Sequence, residues 1–383
     1  YRGGGTVIAV IDAGFYKVNE FPLFDSLWSH QRILGAKDFV SPGGNVYKES
    51  THGMKVLSII GRNIHRAYVG TAPEASFWLL RSEDVRSEFV VEEDYWVAAA
   101  EFADSVGADV INTSLGYSIF DKSAQNHSYA EMNGSSTLIS EATNIAASKG
   151  ISVVISAGNE GRSAWGYITA PADAFDILTV GAINTEGEIA KFSSRGPTYD
   201  GRIKPDVVAT GWGTYIQSSG APNEIVRGNG TSFSAPLISG LTSCLIQAFP
   251  NNSKSEILHA IRESSSQYSV PDTAFGYGIP DFELAYRILE YRNQKNIAFD
   301  VLVRPNPALE FIDLQLLFIP ESSMNIDVMI YNMQGKLVHS ASFPVVNDFA
   351  RVQILLPSSM KRGVYMVNST AGGISVIKKF IKH

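Results

Sequence analysis

Up to about residue 296, short unbroken apolar runs rich in Val and Ile alternate with longer stretches at helical spacing. A strand covered on both faces shows no polar alternation, so this order predicts a parallel sheet packed between helices. The runs fall at 6–11, 75–80, 109–112, 151–156, 177–183 and 206–209, each of strand length. Between them, 92–106 (EEDYWVAAAEFADSV) and 137–149 read as helices, the second closed by Gly150 where a C-terminal cap is wanted. Residues 234–249 are apolar on nearly every side, which predicts a helix buried in the middle of a large domain. A last helix over about 282–294 ends this part of the chain.

After RNQKN at 292–296 the period changes. FIDLQLLF, NIDVMIYN, KLVHSASF, RVQILL, VYMVNS and ISVIKKF alternate apolar with polar and are separated by Gly, Pro, Ser and Asn. Period-two alternation in short segments predicts an antiparallel β-sandwich. The expected organisation is therefore an α/β domain over 1–296 with a mostly parallel sheet in three layers, followed by a small β-sandwich over 300–383.

An apolar fraction of 45% and a charged fraction of 18% suit a folded chain with a large core. The formal net charge of −7 disfavours nucleic acid as a partner. The acidity belongs to residues 1–299, with 23 Lys and Arg against 32 Asp and Glu, whereas residues 300–383 carry eight basic and six acidic residues. No run of about 18 apolar residues is present, so no stable membrane insertion is expected. A lone cysteine, Cys244, has no partner for an internal disulfide and reads as a small buried side chain.

Three segments put a reactive side chain just beyond a buried element. In VIAVIDAG, Asp12 follows a strand directly, and ligands in open α/β sheets gather at the carboxyl ends of strands. Taken alone it is as well explained as a turn or capping residue. In THGMKVLSIIG, His52 opens a helix beside Gly53; in GNGTSFSAPLISG, Ser232 stands at the mouth of the buried helix, with Pro236 expected inside its first turn. Each has an equally plain structural reading, a core histidine and a helix cap.

Together, in the order Asp, His, Ser with these flanks, the segments resemble the subtilisin-like serine proteases. ISVVISAGNEG, VGTAPEASFWLLR, VINTSLG, FSSRGP and KPDVVATG extend the likeness over most of residues 1–290. The resemblance implies a peptidase acting on polypeptide substrates through a catalytic Asp12, His52 and Ser232, with the Asn159 amide in the oxyanion hole and no cofactor. It further implies that Ser114, Leu115 and Gly116 line the substrate cleft, with Ala157 and Gly158 as another wall of the side-chain pocket. The chemistry agrees: a serine hydroxyl needs an adjacent base, the base needs a carboxylate, and the developing oxyanion needs preorganised donors. Two positions depart from the pattern. Ala13 stands where the family has Ser or Thr, and Met54 where it commonly has Thr; neither removes a catalytic group.

Residues 117–137 form an irregular polar stretch in which Asp121, His127 and Asn133 could approach a cation, yet the acidic run of a calcium loop is missing and no metal is expected. The esterase motif G-x-S-x-G and the zinc motif HExxH are absent, and Gly228-x-Gly230 lacks the rest of a dinucleotide fingerprint. An inactive, binding version of the protease fold is the alternative reading. RPNPA at 304–308, YNMQGKLV at 331–338, GVYMV at 363–367 and the basic ending VIKKFIKH resemble the sorting domains of type IX secretion. That resemblance implies export across the outer membrane, residues 300–383 as the part that meets the secretion machinery, and a signal and pro-region ahead of Tyr1. A carbohydrate-binding or shielding module is the plainer alternative for the same sandwich.

Overall fold

The computed structural model describes residues 1–64, 68–222, 224–293, 300–317, 324–345 and 351–383. The chain forms two compact units, Tyr1–Tyr286 and Arg287–His383. It divides inside the helix expected to close the first domain, whereas the sequence puts the boundary after 296; residues 294–299, where the expected linker falls, lie outside the described residues.

In the first unit the chain runs β1 (Val7–Asp12), α1 (Asp25–Ser29), β2 (Ile33–Asp38), α2 (His52–Ile60), the two-residue strands β3 (Asn63–Ile64) and β4 (Tyr68–Val69), then β5 (Ser76–Arg81) and α3 (Val91–Ser105). It continues with β6 (Val110–Thr113), α4 (Leu138–Ser148), β7 (Ser152–Ser156), β8 (Leu178–Ile183), β9 (Val207–Thr210), β10 (Trp212–Gln217), β11 (Ile225–Asn229), α5 (Thr231–Ala248), α6 (Lys254–Glu263) and the start of α7 (Phe282–Asn293), whose residues from Arg287 on belong to the second unit. Seven strands form one parallel sheet in the order β2-β5-β1-β6-β7-β8-β9. Strands β6, β7 and β8 are buried at every residue, which accounts for their unbroken apolar runs.

Helices α3 and α4 pack together on one face around Trp96, Ala99, Ile111, Ile139 and Val153, while α2 and α5 cover the other. The three expected layers are present. All six expected strands are in the sheet, each displaced by a residue or so. The edge strand β2, ILGAKD, escaped the pattern because only its two ends are buried and Lys37 and Gly35 interrupt it; a Cβ on Gly35 would meet the Trp78 ring at 2.3 Å. The β10–β11 hairpin and α6 were also not foreseen, although the Ser253–Glu256 capping box of α6 is legible as S-x-x-E.

The second unit holds antiparallel sheets β12-β13-β16 and β15-β14-β17-β18, built from β12 (Asp300–Arg304), β13 (Phe311–Leu317), β14 (Met324–Asn332), β15 (Leu337–Val345), β16 (Arg351–Leu355), β17 (Gly363–Ala371) and β18 (Ile374–Lys382). Leu314 and Ile354 from one sheet meet Val328, Ile330, Val367 and Phe380 from the other in a single core. All six alternating segments became strands, and β12 is the addition.

Candidate active site

The strand order reverses direction at β1 and β6: from β1 the chain moves to β2, and from the adjacent β6 it moves the opposite way to β7. Such a switch point opens a crevice at the carboxyl ends of the strands. Asp12 ends β1 there, fully buried. Its Oδ1 accepts from the Ala13 N–H and from His52 Nδ1, both at 2.7 Å. Because the carboxylate only accepts, Nδ1 carries a proton, and the neutral ring keeps a lone pair on Nε2. Oδ2 of Asp12 is buried without a partner among the described residues, and Ala13 has no hydroxyl to offer it.

Local packing brings His52 to this spot. Gly53 is required beside it, since a Cβ there would lie 2.5 Å from the Gly14 carbonyl and 2.9 Å from Asp12 Cβ. Arg81, 2% exposed and in lateral register with both Asp12 and Asp38, grips the surrounding backbone. Its Nη1 donates to both Asp38 oxygens at 3.2 and 3.0 Å, its Nε donates to the Ala13 carbonyl at 3.3 Å, and Nη2 lies 3.4 Å from Glu49 on the segment leading to His52. Sequence reading passed over this arginine, although a charge closing an otherwise apolar strand is its visible signal.

Burial pulls the His52 pKa down, but the charge of Asp12 and its hydrogen bond outweigh that effect and leave it above the ordinary 6.5. The ring stacks beside Phe233, with centroids 6.1 Å apart, and Phe233 follows Ser232 directly.

Ser232 lies in the first turn of α5, which starts at Thr231 rather than at the expected 234. Pro236 therefore sits beyond the first turn, not inside it. Having no N–H, Pro236 cannot bond the carbonyl four residues back, which is that of Ser232. Ser114 Oγ donates to that carbonyl at 3.0 Å instead. In return Ser232 Oγ donates to the Ser114 carbonyl at 3.3 Å, so the hydroxyl is turned there rather than to the His52 ring. Asn159 Oδ1 accepts from the Thr231 N–H at 2.9 Å and from Thr231 Oγ1 at 3.1 Å. Accepting from a backbone N–H fixes which end of the amide is oxygen, and Asn159 is exposed. Thus Asp12 meets His52, Asn159 meets the start of α5, and Ser232 meets Ser114.

Leu115 is half-buried and Gly116 exposed beyond β6; Ala157 is buried and Gly158 half-buried beyond β7. The residues named for a cation do not gather. Asp121 accepts from the Glu88 N–H, His127 Nε2 bonds Glu93 at 2.5 Å, and Asn133 caps the turn at Ser135 and Ser136. A different set does: carboxylate oxygens of Glu83, Glu88 and Glu92 lie within 4.8 Å of one another. Burial, followed by the charge of neighbouring carboxylates, pushes all three pKa values up, Glu88 to about 7, and Tyr117 donates to Glu83 at 2.8 Å.

The subtilase family model matches residues 3–278. The chain belongs to the subtilase family. It is similar to Subtilisin E of Bacillus subtilis (strain 168), 29% identical over 271 residues, covering 70% of this chain and 62% of that protein. Serine protease AprX of the same organism is 25% identical over 297 residues, covering 70% and 63%. The chain thus spans less than two thirds of the length of these relatives. Among solved structures, MycP1 from Mycobacterium smegmatis superposes with a TM-score of 0.56 at 25% identity, covering 74% of this chain and 80% of that one. Residues 302–383 match the secretion system C-terminal sorting domain, a type IX tail that marks the subtilase for export to or beyond the cell surface. No helix among the described residues is long and apolar enough to cross a membrane.

Proposed function

We propose that this subtilase is an exported serine endopeptidase using Asp12, His52 and Ser232, with polypeptides as substrates and residues 300–383 as the segment engaged by the secretion machinery. The observation that carries the reading is the 2.7 Å Asp12–His52 hydrogen bond beside the helix start that holds Ser232. Rotation of the Ser232 hydroxyl from the Ser114 carbonyl toward Nε2 would give the base its proton to take. Oγ then adds to the substrate carbonyl carbon while His52 accepts that proton. The carbonyl oxygen gains charge, met by the Asn159 NH2 and the Ser232 N–H at the positive end of α5. Collapse of the adduct expels the amine, which leaves with the His52 proton, and water repeats the sequence on the acyl-enzyme.

The Ser232–Ser114 hydrogen bond favours the second reading, an inactive subtilase-fold binding protein. A fluorophosphonate probe separates the two. Labelling of the native chain that is absent from Ser232→Ala is expected; equal labelling of both moves the nucleophile elsewhere, and none in either supports the binding protein.

A further inference from the structure

Asp12 and His52 stand at the ends of different segments, and little about the pair itself fixes their spacing. Oδ2 of Asp12 has no partner among the described residues, so among them its carboxylate is held by the Ala13 N–H and by His52. His52 opens α2 without a side-chain cap from Thr51, and its own N–H donates to Ser50 Oγ at 3.2 Å. The two segments touch where Glu49 and Ser50 pass Gly14: a Cβ on Gly14 would lie 2.5 Å from the Ser50 nitrogen and 2.7 Å from Glu49 Cβ. Arg81 is a side chain that ties them together. It ends β5, the strand between β1 and β2, in register with Asp12 on one side and Asp38 on the other. Backbone bonds repeat that placement, with the Ser82 N–H donating to the Asp12 carbonyl at 3.1 Å and the Phe39 N–H to the Arg81 carbonyl at 2.9 Å. From there the guanidinium divides in three. Nη1 goes to Asp38, and Nε goes to the carbonyl of Ala13, the residue whose N–H bonds Asp12. Nη2 goes to Glu49, three residues before His52, with Asp84 3.9 Å from the same nitrogen.

We infer that Arg81 is a positioning residue for the reaction: from one rigid group it holds both the peptide next to the Asp12 carboxylate and the segment leading to the His52 imidazole, and so sets the geometry between them. The inference rests on the hydrolase reading. A guanidinium is planar and its donors point in fixed directions, so its three anchors are fixed relative to one another; an ammonium on a flexible stem has no such fork. Asp38, whose side chain has no exposed surface, holds the group in place, and Ala13 and Glu49 receive what it transmits. A displacement of about 1 Å at a catalytic group can cost about 10²-fold in rate, so loss of this grip is enough to slow proton transfer to His52.

The test uses the full chain and a peptide p-nitroanilide, with enzyme counted by fluorophosphonate labelling carried to completion so that misfolded protein does not enter the rate. Arg81→Lys keeps the charge beside Asp38 and loses the fork. Its kcat per labelled site should fall by about tenfold or more, with KM unchanged within about threefold. The acid limb of kcat/KM should move to lower pH, because a looser bond to Asp12 favours the imidazolium less, while burial and the Lys55 charge, which oppose it, remain. Glu49→Gln, at a side chain 38% exposed, cuts only the arm toward His52 and should lower the high-pH kcat by about threefold. Arg81→Lys has already lost that arm, so adding Glu49→Gln to it should change kcat by less than about twofold. An arginine with only a structural role would leave fewer labelled sites, each with the native kcat and acid limb; that result overturns the inference, and so do single losses that multiply in the double variant. If Arg81→Lys takes no label, Glu49→Gln decides alone, a threefold loss supporting the inference and a native kcat overturning it. A native chain that neither labels nor turns over the peptide overturns the hydrolase reading itself, a result distinct from these.

Discussion

Asp12 holds the His52 ring at 2.7 Å from a position without exposed surface, while about a third of the imidazole side chain stays open to solvent. Burial alone would favour the neutral ring. The carboxylate's charge and hydrogen bond reverse that, so the imidazolium persists to higher pH than in a free histidine. Only the neutral ring can take a proton from Ser232. Peptidase kcat/KM should therefore climb with pH through an acid limb centred above about 6.5. Asp12→Asn removes both influences that raise the pKa and leaves the burial that lowers it. The limb should then move to lower pH, and kcat/KM should fall by about 10⁴-fold as the ring loses its orientation. Rates of both proteins between about pH 5 and 9 check this. A limb at the same pH in the two would disconnect Asp12 from the titration of His52.

At the scale of elements, α5 and β6 are joined by a substitution of one donor for another. Pro236 deprives the Ser232 carbonyl of its helical partner, and Ser114 Oγ supplies the missing bond. Ser114→Ala should cost about 1 kcal/mol in urea unfolding because it leaves that carbonyl unpaired. In a Pro236→Ala background the helix provides its own N–H, and the same change should cost little. Equal costs in the two backgrounds would mean that the proline and the hydroxyl act independently. This link was not legible in the sequence. The helix itself was, because an apolar face all round survives in the residue order, but its first turn, Thr231–Phe233, reads as polar loop until the tertiary structure encloses it. Asp12, His52, Ser232 and Asn159 were legible because each stands at the end of an element within a short, recognisable segment. Arg81 gains its meaning from contacts with Asp38 and Glu49, which no local period records. Strand β2 was lost for a related reason: a half-exposed edge with a glycine and a lysine carries too little alternation to be seen.

At the scale of the whole molecule, each of the two units has buried apolar side chains of its own. In the first, Ala9, Ile111 and Val153 of the parallel sheet pack with Trp96 and Ile139; in the second, Leu314, Val328, Val367 and Phe380 close the sandwich. A unit with its own core can fold by itself. A chain ending at residue 299 should accordingly keep its fluorophosphonate labelling at Ser232, with its main thermal transition moved by no more than about 2–4 °C, the shift that about 1 kcal/mol produces in a unit this large. The truncation removes the residues that match the sorting domain, so the same protein should stay inside a host that exports the full chain. Labelling of culture medium and cell extract reads both outcomes at once. Labelled enzyme in the medium at the level of the full chain would take the sorting role away from residues 300–383. Truncated protein that is retained but unlabelled, with a collapsed thermal transition, would instead make the sandwich part of what keeps the peptidase folded. Tyr291, in the part of α7 that belongs to the second unit, is kept by a chain ending at residue 299 but loses the strands of the sandwich core it belongs to. Tyr291→Ser in the truncated chain, which removes that exposed ring, should leave labelling unchanged if the first unit stands alone.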